Sequence, residues 1–166
     1  MNQRLINRLF ASIEQAAYLY YRLVIIVAPS GEGKTEVLKE VSNRLKLPII
    51  NMNLELSRLL LDLTQKQRTL QLPKILEDIV AKYPDDTVLV DNIELLFDQT
   101  LGQDPLRLLQ GISRNRTVVC SWNGNFEDGY ITYAAVGHPE YRRYQVNDFL
   151  VVTPNYRQTG ESDEIR

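Results

Sequence analysis

Apolar positions along the chain recur in two alternating rhythms. Between positions 2 and 20 they fall at Leu5, Ile6, Leu9, Ile13, Ala16 and Ala17, the spacing of a helix with one buried stripe. Leu23-Val-Ile-Ile-Val27 then runs unbroken and β-branched, as a parallel strand covered on both faces should. The pattern repeats with a helix over 36–45, a strand over 48–53 and a helix over 54–63. The polar run 64–69 reads as a loop and 72–82 as a further helix. Thr87-Val-Leu-Val-Asp91 is a strand, 104–113 a helix opened by Asp104 and Pro105, and Thr117-Val-Val-Cys-Ser121 another strand. After Gly124 the rhythm changes. Segments 130–136 and 141–146 flank Gly137-His-Pro-Glu140 as a hairpin or an irregular excursion, and Phe149-Leu-Val-Val-Thr153 is a last strand. Strands alternating with helices predict an α/β fold: a three-layer α/β/α sandwich on a mainly parallel, five-stranded sheet. One domain is expected over 1–153, led in by the helix over 2–20, with a polar, mobile tail over 154–166.

Composition narrows the function classes. A length of 166 residues with 44% hydrophobic and 24% charged residues suits one compact core. The formal charge of -2 argues against a whole-molecule field that holds polyphosphate backbones, although a local basic patch stays open. The single cysteine, Cys120, has no partner for an internal disulfide and reads as core packing in a reducing compartment. No apolar run is long enough to span a bilayer, and 1–17 mixes charged with apolar residues unlike a signal peptide. A cytoplasmic location without membrane contact is the expectation.

The strongest chemical signal is Ala28-Pro-Ser-Gly-Glu-Gly-Lys-Thr35, lying between a buried strand and a helix. It fits the phosphate-loop pattern except that Ala28 replaces the first glycine. Gly31 and Gly33 let backbone N–H groups turn toward an anion, and the following helix adds its positive end. Pro29, Ser30, Gly31, Glu32, Gly33, Lys34 and Thr35 are therefore the expected phosphate cradle. Lys34 reaches the β- and γ-phosphates and the Thr35 hydroxyl holds Mg2+. ATP with Mg2+ is the expected ligand pair, since no Asn-Lys-x-Asp guanine reader occurs.

The apolar strand ending at Asp91 is a second acidic site, placed to hold the same magnesium. Asn92, directly after it, cannot act as a base. Glu94 can, provided that the strand end bends. Asn123, or alternatively Ser121, closes a further strand and is expected to touch the γ-phosphate or attacking water; the competing reading makes Asn123 an Asx-turn before Gly124. Arg114 and Arg116 lie between a helix and that strand. They are either solvated charges at a helix end or arginines reaching a neighbouring subunit's phosphates. Tyr141-Arg-Arg-Tyr144 is an exposed strand or a surface for single strands and partners. His138 has no metal-ligating companions.

These motifs, in this order, resemble the AAA+ and STAND branches of P-loop ATPases, over roughly 23–153. The resemblance implies a P-loop NTPase sheet in which the Asp91 strand neighbours the Asn123 strand, itself beside the phosphate-loop strand. The roughly forty residues after Asn123 leave no room for a full helical lid. Length, motif order and missing lid together resemble the BrxF family, the small P-loop proteins of type 3 BREX phage-defence systems. That resemblance implies a larger protein partner among other defence components. A homo-oligomer formed on ATP binding is a further expectation, and direct DNA contact stays open. The function expected is a weak or partner-stimulated ATPase acting as a switch. A non-hydrolysing nucleotide-binding module and, less favoured, a small-molecule kinase are the alternatives.

Overall fold

The computed structural model describes residues 3–154. Its elements, in chain order, are α1 (Gln3–Ala16), β1 (Leu23–Ala28), α2 (Lys34–Leu45), β2 (Ile49–Asn51), α3 (Met52–Leu60) and α4 (Gln65–Ala81). There follow β3 (Thr87–Asp91), 3-10 turns over Glu94–Phe97 and Gln99–Leu101, α5 (Pro105–Ile112), β4 (Thr117–Glu127), β5 (Tyr130–Tyr133), β6 (Arg142–Gln145) and β7 (Leu150–Val152).

Five strands form a parallel sheet in the order β2-β3-β4-β1-β7, as expected. β1 is apolar throughout, and its side chains alternate between two cores. Leu23, Ile25 and Val27 pack with α3, α4 and α5; Val24 and Ile26 pack with α1 and α2. Both faces of the sheet are thereby covered, which is why the central strands carry no polar alternation. The expected neighbours also hold: β4 lies between β3 and β1.

Several boundaries differ from the sequence reading, each for a local reason. The first helix stops at Ala16, because the chain must turn through 17–22 before β1 begins. The polar run expected as a loop is helical from Gln65 onward, with Thr64 as its cap. The Thr64 side chain accepts from the Gln67 N–H while the Gln67 side chain accepts from the Thr64 N–H, a reciprocal cap that starts α4 eight residues before Pro73. β2 ends at Asn51, whose side chain accepts from the Leu54 N–H and opens α3 at once.

β4 does not stop before Gly124. It runs on to Glu127 and pairs antiparallel with β5, which pairs with β6, giving a three-stranded ribbon beyond the parallel sheet. A Cβ at Gly124 would fall 1.7 Å from the Thr132 carbonyl oxygen, so only glycine permits this approach. The tail expected over 154–166 lies, from 155 onward, outside the described residues. Among the described residues no helix follows β4, and none is long and apolar enough to cross a membrane.

Removing the α4 cap isolates its contribution. Thr64→Ala should lower stability by about 1 kcal/mol, read as a lower urea midpoint at unchanged slope.

Candidate nucleotide-binding site

The carboxyl ends of β1, β3 and β4 converge on one edge of the sheet. Register places Ala28 beside Asn123 and Asn51 beside Asp91, so residues far apart in sequence meet there. Such an edge is where open parallel sheets bind ligands.

The loop after β1 turns through Gly31 (φ 83) and Gly33 (φ 90), backbone that side chains resist, and Gly33 accepts the first helical bond from Val37. Lys34 is 6% exposed, and its Nζ donates to the Ala28 and Pro29 carbonyls, 2.9 Å each. The amine thus closes the loop upon itself. Burial lowers the Lys34 pKa, while Glu94, Asp91 and Glu32 act the other way. Ser30, Gly31 and Glu32 are exposed at the mouth.

Asp91 is 8% exposed and accepts from three donors. Thr35 Oγ1 donates to Oδ2 at 3.0 Å, and the Asn92 N–H donates to Oδ1 at 3.0 Å. The Ser121 hydroxyl donates to Oδ1 as well. Two hard oxygen donors, from α2 and β3, therefore lie side by side. That donor chemistry suits Mg2+, which takes one or two protein oxygens and completes its shell with phosphate and water. Among the described residues no group of three or more His, Cys, Asp or Glu side chains is arranged for a metal.

The end of β3 does bend. Asn92 adopts φ 58, which asparagine tolerates, and the kink buries Ile93 and returns Glu94 to the sheet edge. There Asn123 Nδ2 donates to Glu94 Oε2 at 2.7 Å. Asn123 is thus part of a continuous strand and does not form an Asx-turn.

A residue absent from the sequence reading completes this arrangement. Asn53, in the first turn of α3, donates from Nδ2 to Glu94 Oε1 at 3.1 Å and accepts from the Leu95 N–H at 2.8 Å. Its own N–H donates to the Asn92 carbonyl. The only sequence signal for it is position, just past the strand that neighbours β3. An open cleft of about 650 Å³ lies beyond, with Asn53, Asn92, Glu94, Asp98 and Glu140 on its walls.

Arg114 and Arg116 are not brought to this site. They precede β4 at its opposite end, roughly 20 Å from Asn123 at the rise of a strand. Arg116 Nη1 donates to the carbonyls of Val80 at 3.0 Å and Tyr83 at 3.4 Å, and Arg114 lies 3.9 Å over the Tyr20 ring. Both guanidinium groups hold local structure together. Arg143 likewise stacks on Tyr130 at 3.5 Å, and His138 accepts from the Glu140 N–H within its own turn. Cys120 is fully buried, which pushes its thiol pKa well up and leaves it a core residue.

Strand order, glycine loop and the Thr35–Asp91 contact together decide the architecture. The fold is a P-loop NTPase-like sandwich. No family model matches the chain, and no curated protein does. Among solved structures, that of C. elegans PCH-2 is similar at 16% identity and a TM-score of 0.42, over 75% of this chain. The chain spans 38% of the length of that structure, and a likeness this distant carries no argument about activity.

Two substitutions separate ligand chemistry from scaffold. Lys34→Ala should remove triphosphate binding, a loss of about 1.5–3 kcal/mol or more, with the circular dichroism spectrum retained. In the unsubstituted protein, affinity should decline as pH rises through the lowered Lys34 pKa, below the 10.5 of an ordinary lysine, because only the ammonium form attracts phosphate. Arg116→Ala should instead cost about 1–3 kcal/mol of folding stability and leave calorimetric nucleotide affinity unchanged.

Proposed function

We propose that the chain binds ATP with Mg2+ and hydrolyses it slowly, as a nucleotide-dependent switch within a larger assembly. The observation that carries this reading is the contact between Thr35 and Asp91 at 3.0 Å, beside a glycine loop whose lysine lies within it. In this reading the loop N–H groups and Lys34 bind the phosphates, and Lys34 exchanges its two carbonyl partners for phosphate oxygens. Thr35 and Asp91 would hold the metal, which would supply charge neutralisation to the phosphates. Ser121 and the Asn92 N–H fix the Asp91 carboxylate so that one oxygen stays turned to Thr35.

Glu94 is the residue able to take a proton from an attacking water, and Asn123 the one able to orient that water. Each Glu94 oxygen accepts one amide N–H, so an attacking water shares the carboxylate with Asn53 and Asn123. That sharing supports the reading of slow intrinsic hydrolysis. The same double engagement favours a second reading, a module that binds ATP to order an interface without hydrolysing it.

A partner is expected on the open side of the triphosphate. ATP-promoted self-association is one way to cover it, and sedimentation with and without nucleotide tests it. A role among phage-defence components, with or without DNA contact, is supported by the motif resemblance to the BrxF family.

Phosphate release distinguishes the two readings. Glu94→Gln should lower turnover about a hundredfold or more while leaving ATP affinity within about twofold. Tight ATP binding with no release from the unsubstituted protein would select the non-hydrolysing module.

A further inference from the structure

β7 closes one side of the parallel sheet, and among the described residues no strand pairs with its outer edge. Every second residue of such a strand turns its N–H and C=O groups outward, away from β1. Leu150-Val-Val152 carries no charge, proline or bulge to blunt that edge against pairing. A cleft of about 450 Å³ runs along it, with β7 as its floor. Arg8, Ala11, Ser12 and Gln15 of α1 form one wall. Phe126 of the ribbon, with Val146 and Phe149 on the approach to β7, forms the other.

The two walls and the strand share one property: each can match a copy of itself. Positions 8, 11, 12 and 15 stand at helical spacing on one face of α1, and the small side chains at its middle let another helix come close. The ribbon wall is apolar, so it meets its own copy without stranding a polar group. Charges of opposite sign mark the two ends of the strand. Arg8 lies at the carboxyl end, where its Nη2 donates to the Thr153 carbonyl at 2.8 Å. Asp148 lies at the amino end, exposed and directly before Phe149. A two-fold axis through the middle of β7 sets the strand antiparallel to its copy, with Val151 of one opposite Val151 of the other. Asp148 of each copy then faces the strand end that carries Arg8 of the other, and two ion pairs form by symmetry. A strand of unrelated sequence would leave both charges and the α1 face unmatched.

We propose that β7 is the seam of a two-fold dimer, in which a second copy of this chain extends the sheet by antiparallel β7–β7 pairing. Such a seam points the carboxyl ends of the two sets of strands, and so the two candidate nucleotide sites, in opposite directions. Neither site contributes to it, and the dimer forms without nucleotide. It is distinct from the ATP-promoted self-association considered above and does not depend on the nucleotide-binding reading.

Sedimentation velocity of the full chain without nucleotide tests it. The unsubstituted protein should be dimeric at about 10–100 µM. Asp148→Arg alters an exposed side chain and should raise the dimer dissociation constant about tenfold or more, because Arg8 of the other copy then meets a like charge. Arg8→Asp should do the same. An equimolar mixture of the two variants should recover the dimer, since each charge then meets its opposite. Ser12→Arg, at the centre of the helix wall, should give a monomer with an unchanged circular dichroism spectrum. An unsubstituted protein that stays monomeric at about 100 µM overturns the second copy as occupant and leaves the edge to a strand of another protein. A dimer indifferent to Asp148→Arg and Ser12→Arg lies on another face and overturns the proposal too. Folded single variants that fail to recover on mixing overturn it as well, since the charges would then not meet.

Discussion

A carboxylate taken almost wholly out of water is tolerable only when donors surround it. Asp91 meets that condition with Thr35 from the start of α2, Ser121 from β4 and the backbone of Asn92. Those three donors come from separate parts of the chain, so the charge acts as a coupling point. The register of β1, β3 and β4, the entry of α2 and the kink at Asn92 must all be in place before the carboxylate is fully bonded. Losing one donor would leave a buried charge short of a partner, which costs more than the bond itself contributes. Tertiary order at this edge and the bonding of that carboxylate are thus one property.

Much of this was legible from residue pattern. The glycine loop identified itself because backbone with positive φ, an anion and a helix terminus all demand glycines at those spacings. The two-sided burial of β1 followed from its unbroken apolar run, and the sheet order from the motif resemblance. Glu94 was legible as a candidate base conditional on a bend, and Asn92 supplies that bend through a left-handed backbone that no periodicity reveals.

Other features were not legible, for identifiable reasons. Asn53 acts only because β2 lies beside β3, and a contact between residues 41 positions apart has no local signature. The start of α4 was present as Thr64 and Gln67, yet the polar composition of the run outweighed the cap. Gly124 reads as a strand ender, whereas its missing side chain is what lets β5 pair so closely. Arg114 and Arg116 carry the charge that a phosphate would want, and within the chain they lie at the far end of β4 from Asn123, on Tyr20 and on the carbonyls of Val80 and Tyr83. Charge alone does not specify which end of a strand a residue serves.

The folded-back lysine has a consequence for which anions the loop accepts. Lys34 has two oxygen acceptors within the protein at 2.9 Å, so an incoming anion would compete with the protein's own carbonyls rather than meet a bare cation. A chloride, or a lone phosphate without a metal beside it, must replace two good hydrogen bonds, each worth about 1 kcal/mol net, with little else in return. A polyphosphate that engages Lys34, the loop N–H groups and a cation at Thr35 and Asp91 together clears that threshold. On the nucleotide-binding reading proposed above, the self-closed loop would act as a filter on anion charge and reach, set before any part of the nucleoside is read.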